Sequence, residues 1–220
     1  MTPEIQIPWG WYVIRASALI GFLLLYVSIF IGTVSGLPGI RKYFLRLRSL
    51  NLHCWISFQA LIFAFIHGIA LLFHKFIPFG WKDVFIPFQS NFDPVLVALG
   101  TVSLYLMVIL VATSYARRFI SFGVWRAVHF LNIGLYVAVI VHALYLGTDL
   151  KSGLLRQIFL WANGFLILLL IWSMIYRIWS KIKKRETARE APAVKNNENL
   201  RQSNASVLPE RGRENFRRRI

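Results

Sequence analysis

Five apolar runs dominate the chain, and polar or proline-containing segments separate them. Each run has about the length of a helix that crosses the hydrocarbon core of a bilayer, which needs roughly 20 residues. A helix satisfies its backbone hydrogen bonds within its own segment, so such runs predict helices and not strands. We expect transmembrane helices at residues 11–33, 51–73, 94–114, 125–147 and 155–179. The predicted fold class is all-α, a polytopic membrane helical bundle that occupies residues 1–180.

The basic residues between these runs are distributed unevenly. Lysine and arginine cluster after the first, third and fifth runs, whereas the two other connections hold only two of them each. The positive-inside rule then places the N-terminus outside and the C-terminus in the cytoplasm, and the second and fourth helices run parallel from the cytoplasmic face. The first residues form no basic n-region, so we expect the first helix to be retained and not removed with a signal peptide.

The composition agrees with a membrane protein, and it distinguishes a polar C-terminal tail from the rest of the chain. Hydrophobic residues make up 57% of the chain, which excludes an ordinary soluble domain. Residues 181–220 are polar, mixed in charge and nearly free of aromatics, which predicts a disordered, basic cytoplasmic tail. The net charge is +16. Because a basic cluster beside a membrane helix can hold anionic lipid, we expect membrane lipid and not nucleic acid as its partner.

Four histidines lie within the second and fourth predicted helices. His53 and His67 are 14 residues apart, and His129 and His142 are 13 apart, so roughly 20 Å separates the members on each helix. Parallel helices place His53 level with His129, here called the inner pair, and His67 level with His142, the outer pair. Imidazole in hydrocarbon is costly unless something satisfies it, so these four side chains are candidates for function.

Two such pairs suit two haems. A haem iron takes one imidazole from each side of the macrocycle, and two facing helices can supply both. Zinc is disfavoured because no carboxylate lies in a predicted helix and two imidazoles fall short of the usual ligand set. Thirteen residues turn His142 away from the face of His129, so either the fourth helix is kinked, near Gly134, or the two haems are rotated. The single cysteine, Cys54, excludes an internal disulfide and a C-x-x-C-H haem attachment.

Two further side chains have open interpretations. Arg15 lies about one turn inside the first helix, where an unpaired guanidinium is costly. A propionate of the outer haem would neutralise it, which makes Arg15 a candidate cofactor-binding residue, and snorkelling to the interface is an equal alternative. His74 lies seven residues beyond His67 and is either an interfacial residue or a spare ligand.

The paired histidine spacings, the WYVIRAS segment of the first helix and the LYLGTD segment after the fourth resemble the ferric reductase-like transmembrane domain over about residues 10–150. That family includes NADPH oxidases, yeast ferric reductases and the haem subunit of a bacterial periplasmic methionine sulfoxide reductase system. The resemblance implies two b-type haems, the inner held by His53 and His129 and the outer by His67 and His142. Large members continue into a flavin and nicotinamide domain. The residues after Ser180 contain no Gly-x-Gly-x-x-Gly motif, so the chain is similar to the short bacterial members that receive electrons from another protein or a quinol.

The sequence therefore predicts a transmembrane cytochrome b with two haem b groups, in the inner membrane of a bacterium. It would be the haem component of an oxidoreductase of the ferric reductase or protein-repair reductase kind, with a separate cytoplasmic flavoprotein or membrane quinol as donor. The alternative function is a non-redox membrane carrier that uses the histidines as a proton or metal relay.

Overall fold

A computed structural model describes the backbone of residues 9–37, 50–73 and 79–207, and side chains up to Ala188 except those of Leu50 and Glu186. These residues form helices and no β-strand, which confirms the all-α prediction. The α-helices are α1 (Trp9–Val34), α2 (Leu50–Leu71), α3 (Trp81–Phe85), α4 (Pro94–Tyr115), α5 (Phe122–Phe130), α6 (Asn132–Leu146) and α7 (Gly153–Val207). Two 3₁₀ turns, Ala116–Phe119 and Thr148–Leu150, follow α4 and α6.

Five helical segments are long and apolar enough to cross a membrane, as the five apolar runs predicted. They are Trp9–Val34, Asn51–Leu71, Pro94–Phe119, Phe122–Leu146 and Gly153–Arg185. The short helix α3 lies in the connection between the second and third of these segments.

Local sequence explains where several helices begin. Pro94 stands in the first turn of α4, where its missing N–H costs no helical hydrogen bond. The Ser121 hydroxyl caps α5 by accepting from the Val124 N–H at 3.5 Å. Asp83 in α3 accepts from the Gly80 N–H at 2.7 Å. Capping groups and a first-turn proline therefore determine where α3, α4 and α5 begin.

The fourth membrane segment is divided into α5 and α6 at Leu131. The Leu131 N–H donates to the Val128 carbonyl at 3.0 Å, which is the i−3 bond of a 3₁₀ turn, and α6 then resumes. The sequence left a kink near Gly134 open, and the structure has the break at Leu131 instead. Because a 3₁₀ turn rotates the chain further per residue than an α-helix, the break alters the angle between His129 and His142.

The helices pack so that α1 lies along α2 and α4 lies along α6, while α2 also contacts α4. Gly21 permits a close approach of α1 to α2, since a Cβ at this position would lie 3.3 Å from the Cβ of Phe63. Leu135 is fully buried in the core. The buried Tyr136 hydroxyl donates to Asn163 Oδ1 at 2.5 Å and links α6 to α7.

Among the described residues, those up to Leu169 form one compact unit and those from Leu170 onwards a second. Helix α7 continues to Val207, through part of the segment for which composition predicted disorder. Here the structure differs from the sequence expectation. Lysine, arginine, glutamate and alanine have high helix propensity, and they extend an existing helix readily because nucleation is the unfavourable step. Residues 208–220 lie outside the described part of the chain, and the division into a haem domain and a tail at Ser180 stays a prediction.

Candidate functional site

The structure brings His53 and His129 together at one end of the bundle. His53 lies in the first turn of α2 and His129 near the end of α5, and their ring centroids are 6.2 Å apart with an angle of 69° between planes. An imidazole nitrogen binds a metal ion at about 2 Å, so two imidazoles on opposite sides of one ion have ring centroids about 6 Å apart. The spacing of the inner pair therefore fits two axial ligands of one iron.

Three of the four histidines have Nδ1 held by a main-chain carbonyl of another helix. The Nδ1-to-oxygen distances are 3.1 Å for His53 and Ser28, 3.1 Å for His67 and Ile14, and 2.8 Å for His142 and Leu96. A carbonyl oxygen can only accept, so Nδ1 carries the hydrogen in each ring and the lone pair is on Nε2. Metal-bound histidines show this arrangement, because the bond at the second nitrogen fixes the tautomer and the ring orientation. These three imidazoles are therefore oriented to bind a metal through Nε2.

His129 is positioned differently. Its Nδ1 is buried and has no hydrogen-bond partner among the described residues. Trp125, one turn earlier in α5, stacks on the imidazole with centroids 5.0 Å apart and planes 20° apart. The Arg117 guanidinium lies 4.7 Å from the centroid of the Trp125 ring. Aromatic stacking, and not a carbonyl, therefore orients this fourth imidazole.

A cavity opens beside the inner pair. Its volume is about 40 Å³. The lining includes both inner histidines, Cys54 and apolar side chains of α1 and α4, together with several polar side chains, among them Ser57 and Asn132. The inner pair thus lines a small cavity between the helices.

The outer histidines lie in α2 and α6, and each is bonded to a neighbouring helix, His67 to α1 and His142 to α4. Gly100 of α4 packs against His142: a Cβ at this glycine would lie 2.6 Å from Cε1 of the imidazole. The absence of a side chain at position 100 is therefore what allows His142 to reach the Leu96 carbonyl.

Arg15 has a partner that the sequence argument did not identify. Its Nε donates to Asp149 Oδ2 at 2.7 Å, and a second guanidinium nitrogen contacts Oδ1. Asp149 lies in the 3₁₀ turn after α6. A carboxylate of the chain itself thus satisfies the guanidinium, which neither the propionate interpretation nor the snorkelling interpretation included. His74 lies outside the described residues.

Sequence reasoning also missed Trp125 and Gly100 as parts of the site. The signal for Trp125 was its position four residues before His129, which places both rings on one helical face. For Asp149 as the partner of Arg15, the signal was the LYLGTD segment, which ends at the same face of the bundle as the start of α1. No comparable signal marked Gly100, because its role depends on how α4 meets α6.

The described residues contain no group of three or more histidine, cysteine, aspartate or glutamate side chains that could hold a metal ion. The usual zinc site needs three or four protein ligands. A haem iron needs only two from the protein, because the macrocycle provides the others. The paired imidazoles of the described helices therefore suit haem better than a bare metal ion.

The family model described as ferric reductase like transmembrane component matches residues 17–143. The match covers more than half of the chain and includes all four histidines. No curated protein and no solved structure matches the chain. Domains of this family generally bind haem, and the match points to a membrane redox component. The chain is an integral multi-pass membrane protein with five apolar helices, and it belongs to the family of ferric reductase like transmembrane components.

Proposed function

We propose that the chain is a transmembrane cytochrome b that relays electrons across the membrane through two b-type haems, as the haem component of an oxidoreductase. His53 and His129 would hold the inner haem, and His67 and His142 the outer haem. The observation that carries the proposal is the geometry of the imidazoles. Three of them have Nδ1 bonded to a carbonyl, which leaves the lone pair on Nε2, and the ring centroids of the inner pair are 6.2 Å apart, a spacing at which both imidazoles could bind one iron.

Two histidines at each level favour electron relay over oxygen chemistry. A haem held by two histidines would leave no coordination site of its iron open for oxygen, so it would supply electron transfer. Bound haem would supply reversible one-electron oxidation and reduction. The carbonyls of Ser28, Ile14 and Leu96 hold three of the imidazoles in one orientation, as a preorganised ligand shell requires.

Helix α2 contributes one histidine to each level. His53 lies in its first turn and His67 near its end, so the two levels are separated by roughly 20 Å along the helix axis. That distance is about two thirds of the hydrocarbon core of a typical bilayer. Two such levels within one bundle would connect the two faces of the membrane.

The inner end of the bundle supports docking of an electron donor. Arg117 is exposed there, and the side chains of Phe119 and Phe122 are 76% and 59% exposed. The Phe122 and Trp125 rings are 5.8 Å apart, and Trp125 stacks on His129, so aromatic contacts lead from the surface to a proposed ligand. Positive charge at such a surface attracts an acidic partner and speeds association.

We favour a separate cytoplasmic flavoprotein as this donor, with a membrane quinol as the other candidate. The basic residues beside the inner pair support a cytoplasmic position for that end and an outside position for the N-terminus, and the membrane would be the inner membrane of a bacterium. Electrons would leave past the outer pair to an acceptor outside the cell membrane. The basic segment at residues 41–48 lies outside the described residues.

The test is a reduced-minus-oxidised difference spectrum of the protein purified from haem-replete cells, together with the ratio of haem to chain. We expect a b-type band and two haems per chain. Colourless, haem-free protein from such cells would refute the proposal and leave the non-redox carrier as the better account of the histidines.

A further inference from the structure

An ion pair fastens the start of α1 to the connection after α6. Arg15 Nε donates to Asp149 Oδ2 at 2.7 Å, and a second guanidinium nitrogen contacts Oδ1, so the contact is bidentate. Bidentate contacts of arginine with carboxylate are among the stronger and more directional polar interactions. The two residues are 134 positions apart in the sequence. The pair therefore ties together two segments that are remote along the chain.

Both side chains of the pair are partly withdrawn from the surroundings. The exposed fraction is 32% for Arg15 and 15% for Asp149. The guanidinium also lies 3.9 Å from the centroid of the Trp11 ring, a cation–π contact that gains strength when water is excluded. Removal of one partner from such a pair leaves an uncompensated charge at the edge of the hydrocarbon region. These contacts hold Arg15 in one position.

On the α1 side, the pair adjoins the group that orients an outer histidine. Ile14 immediately precedes Arg15, and its carbonyl accepts the hydrogen bond from His67 Nδ1 at 3.1 Å. Because adjacent residues of one helical turn move together, fixing the guanidinium also fixes this carbonyl. A displacement of Arg15 would therefore change the orientation of the His67 ring.

On the α6 side, Asp149 belongs to a turn that is bonded to the end of the helix. The Gly147 N–H donates to the Ala143 carbonyl at 2.8 Å, and this alanine directly follows His142. The Leu150 N–H then donates to the Gly147 carbonyl at 3.1 Å. The turn that presents the carboxylate is thus continuous with the helical turn that presents the second outer histidine.

We propose that Arg15 and Asp149 are positioning residues for the outer histidine pair. Their ion pair fixes the position of the α1 carbonyl that orients His67 relative to the helix that carries His142. Each residue also neutralises the charge of the other beside the outer site. The inference rests on the proposed function, because it takes the outer pair to bind haem. It also assigns Arg15 to a carboxylate of the chain and not to a haem propionate.

The two residues then have opposite effects on the reduction potential of the outer haem. A nearby positive charge favours the reduced, less positive centre and raises the potential, and a nearby negative charge lowers it. Asp149→Asn leaves the guanidinium uncompensated, so the potential should rise. Arg15→Gln leaves the carboxylate uncompensated, so the potential should fall. The double variant removes both charges, and its potential should return towards that of the wild type.

The experiment is a redox titration of the purified holoprotein, followed at the b-type absorption band, for the wild type, both single variants and the double variant. The inner haem serves as the internal reference, and its potential should not move. Asp93→Asn is the matched control, since Asp93 is an exposed acid directly before the first turn of α4, the turn whose Leu96 carbonyl orients His142. Exposed charges are screened by salt, so this control should shift neither potential.

Arg15→Lys separates the charge of the pair from its geometry. Lysine keeps the positive charge but cannot reproduce the two-pronged contact of the guanidinium. We expect the outer potential to stay near the wild-type value while the low-spin electron paramagnetic resonance signal of the outer haem, which reports the orientation of its axial imidazoles, changes. An unchanged signal would contradict the positioning role.

The titration can overturn the inference in two ways. An outer potential that is the same in both single variants and the wild type would exclude an effect of the pair. A fall in Arg15→Gln without a rise in Asp149→Asn would instead indicate a haem carboxylate as the partner of Arg15. A wild-type protein without haem would refute the proposed function before any variant is compared.

If a single variant does not accumulate, the exchanged pair tests the same contact. Arg15→Asp combined with Asp149→Arg keeps an ion pair between the two positions. This exchange should restore accumulation and both haems. Failure of the exchange to restore either of them would contradict the inference.

Discussion

The close contact between Gly100 and His142 makes Gly100→Ala a sensitive test of the outer site. A Cβ at position 100 would lie 2.6 Å from Cε1 and 2.8 Å from Nδ1 of the imidazole. Carbon atoms in ordinary contact are about 3.5 Å apart, so the ring must withdraw by roughly 1 Å. The same ring is bonded to the Leu96 carbonyl at 2.8 Å. A withdrawal of that size lengthens the bond beyond the usual limit of about 3.2 Å.

Two estimates of the effect agree. Overpacking in a well-packed interior costs roughly 1–3 kcal/mol. If this cost is subtracted from the binding free energy of the outer haem, the affinity for that haem falls roughly 5- to 160-fold. Loss of the hydrogen bond that orients a metal-binding histidine typically lowers metal affinity by about 10- to 100-fold. We expect Gly100→Ala to bind the outer haem about one to two orders of magnitude more weakly and to retain the inner haem.

The matched control is Gly32→Ala, because Gly32 faces His53 of the inner pair in the same manner. A Cβ at position 32 would lie 3.5 Å from Cε1 of His53, which is an ordinary contact. This variant should keep both haems. The assay is the haem-to-chain ratio with a redox titration of each preparation. Two haems and an unchanged outer potential in Gly100→Ala would refute the packing argument, as would loss of the same haem from both variants.

Further predictions concern the histidine pairing, electron uptake and the tail. His53→Ala and His129→Ala should each remove the same inner haem, since either change leaves an iron with one protein ligand, and a redox titration in which His53→Ala matched His142→Ala would contradict the pairing. Trp125→Leu should slow haem reduction by an added flavoprotein more than Trp125→Phe does, while reduction by dithionite stays unchanged; equal stopped-flow rates for the leucine variant and the wild type would exclude Trp125 from the path. Reduction by a flavoprotein should slow as salt rises, because screening weakens attraction to the basic surface, whereas reduction by a quinol should depend little on salt. Deletion of residues 187–220 should leave both haems in place, as judged by the difference spectrum, and loss of either haem would show that the tail has a structural role.

Sequence predicted the membrane segments well because one physical quantity, the bilayer thickness, sets their length. The predicted runs and the observed segments of α1, α2 and α4 differ by only a few residues at their ends. The end of α7 was missed for a different reason. Loss of apolar residues after Ser180 marks the end of a membrane segment, but it does not stop backbone hydrogen bonding, which continues to Val207.

The sequence offered a kinked fourth helix as one of two interpretations, but it located the kink near Gly134. Gly134 suggested a kink because glycine weakens a helix, yet no other atom lies within 4 Å of a Cβ built at this position. The break occurs at Leu131, which carries no local signal for one. Its position therefore follows from how α5 and α6 dock separately, His129 beside His53 and His142 against α4.

The partner of Arg15 was not predicted because the predicted helices contain no acidic residue. Asp149 lies just beyond one, in a turn, and 134 residues separate it from Arg15. Hydrophobic periodicity reports local structure and carries no information on a contact of this range. The predicted topology placed the start of the first helix and the end of the fourth at the same face. That inference could have identified Asp149 as the partner of Arg15.

The carbonyls that orient the proposed ligands could not be identified by residue type, since every residue has one. A helical carbonyl already accepts the bond from the residue four positions later, and its second lone pair is free for an imidazole that approaches from the side. Such an imidazole lies over the side chain at that later position. The residues four positions after Ile14, Ser28 and Leu96 are Ala18, Gly32 and Gly100.

The sequence pattern that accompanies these hydrogen bonds is therefore a small residue four positions after the acceptor residue. At Gly32 and Gly100 the missing side chain lies directly beside the imidazole, 3.5 Å and 2.6 Å from its Cε1. The requirement is steric: the acceptor residue can be Ile, Ser or Leu, but the residue one turn later must leave room for a ring. His129 has no such carbonyl partner in the described part of the chain, and there the flat face of Trp125 holds the imidazole instead.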